Sequence, residues 1–247
     1  MTKTAFVTGA SRGIGKGIAL LLASMGYQVA LAARNRFLLE KTAEEILALK
    51  KLPPLIYPLD VTNETQVKEA IESTYFKNER IDVLVNAAGI LLPKTSDLAS
   101  EDFRSLLEVN VFGSFYCISA VTKHMKKQKS GYIFNIASRA GKIGIGTLGG
   151  YCTSKFAVVG LNDALTSELA EFGIKTTAIC PGIVDTDMGE SARVSKEDRI
   201  PVDDVVKTVE FLLKTSPNSL IREVVIECRK TIEFSNIPPF HFAETQR

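Results

Sequence analysis

Residues 4–15 read TAFVTGASRGIG: five β-prone residues, then glycines spaced G-x-x-x-G-x-G, then an amphipathic helical pattern reaching about Met25. Few folds accommodate that succession. Glycines between a strand and a helix let the backbone turn tightly and let a pyrophosphate sit on the helix N-terminus. A glycine trio alone is weak evidence, and it gains weight from the alternating pattern of the remaining chain. Apolar β-rich runs at 28–33, 55–59, 81–86, 132–138, 175–180 and 223–228 alternate with helical patterns. Those patterns cover about 36–50, a stretch from Glu64, Ser100 to about Lys127, 150–171, and Pro201 to about Lys214. Ser100 with Glu101 reads as a cap for the longest of them. Strands nearly continuous in Val, Ile, Leu and Ala are buried on both faces. Strict alternation then predicts an α/β fold: a doubly wound parallel sheet with helices on both faces. It is expected to be one domain over 1–247, with a loosely ordered tail from about Ser235.

Composition narrows the function classes. The chain is 45% apolar, enough for one large core, and its net charge of +2 gives no electrostatic case for nucleic acid or an acidic membrane face. The basic run at 123–129, KHMKKQK, reads as a solvated helix end, where cations suit the helix dipole. No apolar run approaches about 18 residues and no leader pattern opens the chain, so neither a membrane span nor a targeting segment is expected. Cys117, Cys152, Cys180 and Cys228 form no CxxC pair, which favours a reducing compartment, the cytoplasm, and disfavours zinc. His124 and His241 sit near no other ligand types at metal spacing, so neither a metal centre nor a Ser–His triad is expected.

An NAD-binding unit usually carries Asp or Glu about 20 residues beyond the glycines, to hold the ribose 2′-hydroxyl. Here the second strand ends Ala32-Ala33-Arg34-Asn35, without a carboxylate, and Arg12 lies inside the glycine loop. Two guanidinium groups suit a 2′-phosphate through charge-assisted bonds, so the expected cofactor is NADP(H). Gly9, Arg34, Asp60, Asn86, Ser138 and Pro181 all fall at the carboxyl ends of predicted strands, the edge where open parallel sheets bind ligands. The stretch YCTSK, 151–155, puts Lys155 one helical turn from Tyr151 and on the same face. A tyrosine hydroxyl near pKa ~10 is a poor proton shuttle at neutral pH, and a neighbouring cation is expected to lower it. The ammonium has further donors for a ribose. Ser138, at the end of the preceding strand, can offer its hydroxyl to a substrate oxygen.

In order along the chain, TGASRGIG (8–15), LDVT (59–62), NAAG (86–89), the VN at 109–110, Ser138, YCTSK and PGIVDT (181–186) resemble the motif set of the short-chain dehydrogenases/reductases. The resemblance covers nearly the whole chain. It implies an NADP-dependent oxidoreductase on a seven-stranded Rossmann-type sheet, acting on a small-molecule carbonyl or alcohol as a homodimer or homotetramer. It implies a catalytic set of Asn110, Ser138, Tyr151 and Lys155, with Asn110 holding a water in the proton path. Cofactor contacts are implied for Gly9, Ser11, Arg12, Gly13, Ile14 and Gly15, for Arg34, and for Asp60 and Val61 at the adenine. Others are implied for Asn86 by the adenosine ribose, for Ile183 and Thr186 by the nicotinamide carboxamide, and for Ala87, Gly89, Tyr151, Lys155, Pro181 and Gly182. Substrate choice would fall to 140–149, 90–96 and the short segment after Thr186, which suggests a small or extended substrate. The C-terminal pattern PVDDVVKTVEFLLK followed by IREVVIE resembles a branch acting on small 3-hydroxy acids. A 3-oxoacyl-[acyl-carrier-protein] reductase and a broad ketone or steroid reductase are the alternatives. From another class comes a catalytically silent NADP-binding regulator, against which the intact catalytic set argues.

Overall fold

A computed structural model of the chain describes residues 2–192 and 194–233. The tail from Ser235, and His241 with it, lies outside the described residues. Strands β1 (Thr4–Thr8), β2 (Gln28–Ala33), β3 (Leu55–Pro58), β4 (Val83–Asn86), β5 (Gly131–Ile136), β6 (Ile174–Pro181) and β7 (Glu223–Ile226) form one sheet, ordered β3-β2-β1-β4-β5-β6-β7. Every pairing is parallel. The helices are α1 (Gly13–Ser24), α2 (Arg36–Ala48), α3 (Glu64–Asn78), α4 (Ser100–Leu107), α5 (Gly113–Gln128), α6 (Gly149–Leu169), α7 (Val202–Lys214) and the short α8 (Arg229–Glu233).

The first strand shows why the winding is double. All five residues of β1 are buried, and successive side chains point to opposite faces. Ala5 and Val7 join a core with Ile18 and Leu22 of α1, Leu39 and Ile46 of α2, and Val205 and Val209 of α7. Phe6 joins the other core, with Ile71 of α3, Val121 and Met125 of α5, and Leu169 of α6. Each fully buried large aliphatic side chain contributes roughly 1.5–3 kcal/mol. A strand needed by both cores leaves no polar side, which is why the sequence shows continuous apolar runs. The strand order reverses between β1 and β4, and there the loops leaving the sheet diverge and open a crevice.

Three expectations are corrected. Ser100 does not cap its helix: Ala99 is the N-cap without a side-chain bond, Ser100 is the first helical residue, and Glu101 and Asp102 supply the first-turn charge. The long helix is not uniform, because Glu108–Phe112 form a π-helical turn between α4 and α5. That composite stretch, Ser100–Gln128, is also, among the described residues, the one helix long and apolar enough to cross a membrane, where none was expected. In this fold its apolar residues Cys117, Ile118, Val121 and Met125 pack into a core against the sheet. The basic run ends α5 as read, with Lys126 paired to Glu168 at 2.8 Å. Within it, however, His124 is buried and stacked on Tyr75 at 3.9 Å between ring centroids.

Candidate active site

A groove of about 860 Å³ runs along the carboxyl edge of the sheet. Its floor is the loop between β1 and α1. Gly9 has φ +64°, and a Cβ there would meet the Ala87 carbonyl oxygen at 2.7 Å, so only glycine fits. Gly15 lies so close to the Gly9 carbonyl that a side chain would collide with backbone. These two approaches draw the loop, α1 and the β4 end together, and the α1 N-terminus faces the groove.

Most of the expected residues line that one groove: Gly9, Ser11 to Gly15, Arg34, Asp60, Val61, Ala87, Gly89, Ser138, Tyr151, Lys155, Pro181 to Ile183, and Thr186. Two do not. Asn86 is buried at the end of β4, and its Nδ2 donates to Asn135 Oδ1 at 2.9 Å, turning the side chain into the sheet. Asn110 is buried in the π turn. Its Oδ1 accepts from Ile90 N at 2.9 Å, and its Nδ2 donates to Ile90 O at 3.0 Å and Ser154 Oγ at 2.9 Å. It thus ties the loop after β4 to α6.

The two arginines are also separated in role. Arg12 Nη1 pairs with Asp187 Oδ2 at 2.5 Å, across the groove from the segment after β6. Arg34 is exposed and has no ion pair among the described residues. Asp60 lines the groove with one carboxylate oxygen committed to Thr62, accepting from its N at 3.0 Å and its Oγ1 at 2.9 Å.

Around Tyr151 the wall turns apolar. Tyr151, Cys152, Leu106, Ala140 and Leu148 are buried together, with Ile90, Leu91 and Ile145 against them. Two loops close this wall by lacing to each other. Lys94 N donates to Thr147 O at 2.7 Å, Thr95 Oγ1 donates to Gly146 O at 2.5 Å, and Gly149 N donates to Thr95 Oγ1 at 2.9 Å. Burial pushes the Tyr151 hydroxyl up to about 12, with the nearby Ser138 hydroxyl pulling the other way. Burial pushes Lys155 down to about 8. The expectation that Lys155 lowers Tyr151 is therefore not met by the protein's own arrangement. The Lys155 ammonium stands 5.7 Å from the Tyr151 ring centroid and donates to Ile136 O at 2.8 Å. Ser138 Oγ accepts from Ala140 N at 3.1 Å and donates to Pro181 O at a long 3.4 Å, so its proton is weakly held.

Sequence reasoning missed several lining residues. Leu38, Val109, Ile136, Arg139 and Thr231 all reach the groove. Arg139 had a usable signal, because it directly follows Ser138. Thr231 had none, since only the return of the chain after β7 brings it there.

The model of the family described as short chain dehydrogenase matches residues 3–197. An uncharacterised oxidoreductase of Staphylococcus saprophyticus is 34% identical over 225 residues, covering 91% of this chain and 96% of that protein. A 3-oxoacyl-[acyl-carrier-protein] reductase of Synechocystis is 39% identical over 195 residues, covering 76% and 77%. Among solved structures, a β-ketoacyl-[ACP] reductase from Bacteroides thetaiotaomicron superposes with a TM-score of 0.84 at 39% identity, covering 94% of this chain and 100% of the other. The structure of ElxO with NADP bound superposes with a TM-score of 0.84 at 32% identity, covering 92% and 97%.

Proposed function

Because the chain belongs to the short-chain dehydrogenase family, we propose that it is an NADP(H)-dependent oxidoreductase interconverting a carbonyl and a secondary alcohol, with Tyr151 exchanging the proton. The observation that carries this reading is the meeting of Ser138, Tyr151 and Lys155 with the glycine loop in one groove. The groove's own features fit the cofactor. A Cβ at Gly13 would meet Thr186 Cγ2 at 3.2 Å, so the missing side chain keeps the cradle open between the loop and the β6 end. Arg34 offers a guanidinium, unpaired among the described residues, where an NAD site would carry an acid. When bound, the cofactor supplies or accepts the hydride. Arg34 would hold the 2′-phosphate, and Arg12 would contribute less because Asp187 already engages it.

Ser138 turns its hydroxyl from the distant Pro181 carbonyl to the substrate oxygen, and Tyr151 gives or takes the proton there. Tyr151 is the third residue of α6, so the helix N-terminus favours its phenolate form. Lys155 stays charged below about pH 8 on the same helical face, where it donates to Ile136 O and would keep further donors for the cofactor's ribose. Asn110, which does not reach the groove, is a positioning residue that holds the 90-loop against α6.

A small keto or hydroxy acid fits the limited wall around Tyr151. The similarity to 3-oxoacyl reductases favours a second reading, reduction of a 3-oxoacyl thioester. A homo-oligomer is supported by Phe112, Phe115 and Phe156, which are 43–47% exposed at the start of α5 and on α6. Four buried, free cysteines fit a reducing compartment such as the cytoplasm. The test is an NADPH oxidation assay over free keto acids, acyl thioesters and neutral ketones, run beside Tyr151→Phe. We expect Tyr151→Phe to bind NADPH normally and lose about 10²–10⁴-fold in turnover. Wild-type turnover in that variant would refute the assignment, and no turnover by the wild type on any carbonyl would favour a silent nucleotide-binding regulator.

A further inference from the structure

The proton chemistry leaves Arg139 without a role. It opens the 3-10 turn Arg139–Gly141 directly after Ser138 and lines the same groove as Ser138 and Tyr151. Its side chain is only 23% exposed. Glu227, just beyond β7, brings Oε2 to 2.5 Å from Nε. That oxygen lies off the N–H axis, and the buried Nε–H has no acceptor in line. No described residue besides Glu227 pairs with the guanidinium.

The residues packed around the Tyr151 ring include Ile90, Leu91, Ala140, Ile145 and Leu148, and the cations lining the groove besides Arg139 and Lys155 are Arg12 and Lys16 by the glycine loop and Arg34 after β2. Lys155 is buried and donates to Ile136 O, with its remaining donors expected at the cofactor's ribose. Arg139 is thus a partly desolvated fork of five N–H donors facing one misaligned carboxylate. Such a fork binds a carboxylate through two parallel bonds far better than it binds a neutral carbonyl.

We infer that Arg139 is the specificity-determining residue of this site and selects substrates bearing a free carboxylate, keto or hydroxy acids over their esters and thioesters. Glu227 is the internal carboxylate that the substrate's own carboxylate replaces. The inference rests on the oxidoreductase reading of the groove.

The test compares acetoacetate with methyl acetoacetate, by NADPH-linked kcat/KM and by calorimetric binding to the cofactor-loaded protein. The wild type should prefer the acid. Arg139→Gln should cut the acid-to-ester ratio at least about tenfold, mainly through KM, and Arg139→Lys should recover part of it. Glu227→Gln removes the competing carboxylate and should raise the ratio; it stands as the second variant if Arg139→Gln does not fold. No acid preference in the wild type, an equal loss for acid and ester in Arg139→Gln, or a lower ratio in Glu227→Gln would each overturn the inference. Calorimetry keeps the two readings apart. Acid-selective binding that depends on Arg139 but without turnover supports this inference and sinks the catalytic one. Turnover without acid selectivity does the reverse.

Discussion

Lys155 carries its charge where the fold disfavours it, and that has a measurable sign. Its folded pKa is about 8 against an ordinary 10.5. Below pH 8 both folded and unfolded states hold the proton, and the folded state bears the full cost of burying it. Between pH 8 and 10.5 the unfolded state binds more protons, so stability rises with pH. The difference in unfolding free energy between wild type and Lys155→Met should therefore climb by up to about 1.4 kcal/mol per pH unit, measured by denaturant titration from pH 8 to 10. A flat difference would show that the ammonium is solvated. The upper limit is set by Tyr151, which with a folded value near 12 removes stability above its ordinary 10. Arg34 yields a second residue-level expectation. Arg34→Ala should weaken NADPH about tenfold or more by fluorescence titration while leaving NADH nearly unaffected, since only one cofactor carries the 2′-phosphate. Tyr151 and Lys155 were legible in sequence because four positions on a helix are one turn. The partner of Arg12 was not, because Asp187 is 175 positions away and only the groove joins them.

At the level of elements, the π turn at Glu108–Phe112 is what the periodicity concealed. A π turn adds one residue to a helix without changing its apolar composition, so α4 and α5 read as a single run. The turn buries Asn110, whose amide bonds satisfy the Ile90 backbone and Ser154. The asparagine expected to hold a water in the proton path also fastens two walls of the site. The same walls are laced by Thr95, whose hydroxyl both donates and accepts across to 146–149. Each such bond is worth about 0.5–1.5 kcal/mol. Thr95→Val should raise substrate KM several-fold by loosening the apolar wall, while the NADPH Kd, set at the other end of the groove, changes little. An equal change in both would show that the loops serve the whole fold. The strand–helix alternation itself was legible, because a strand covered on both faces must be apolar throughout.

For the molecule as a whole, the outer faces of α5 and α6 carry exposed apolar residues. Phe156, Ala157, Gly160 and Ala164 are exposed on α6, and Gly160 has nothing within 4 Å of where a Cβ would stand. A smooth face of small residues beside exposed phenylalanines suits close helix packing against a second copy. On the proposed homo-oligomer, Phe156→Asp should shift sedimentation velocity toward monomer and lower Tm, and a monomeric profile for both proteins would dispose of that proposal. The sequence by itself determined the sheet class, the glycine-bearing edge and the Tyr151–Lys155 pair, because each rests on contacts between residues near in the chain or on burial that composition records. Only the tertiary structure decided that Asn86 bonds into the sheet, that Asn110 ties Ile90 to Ser154, that Arg12 engages Asp187, and that Arg139 pairs with Glu227. Those outcomes depend on which distant segments the folded sheet brings within hydrogen-bond reach, and no local pattern encodes that distance.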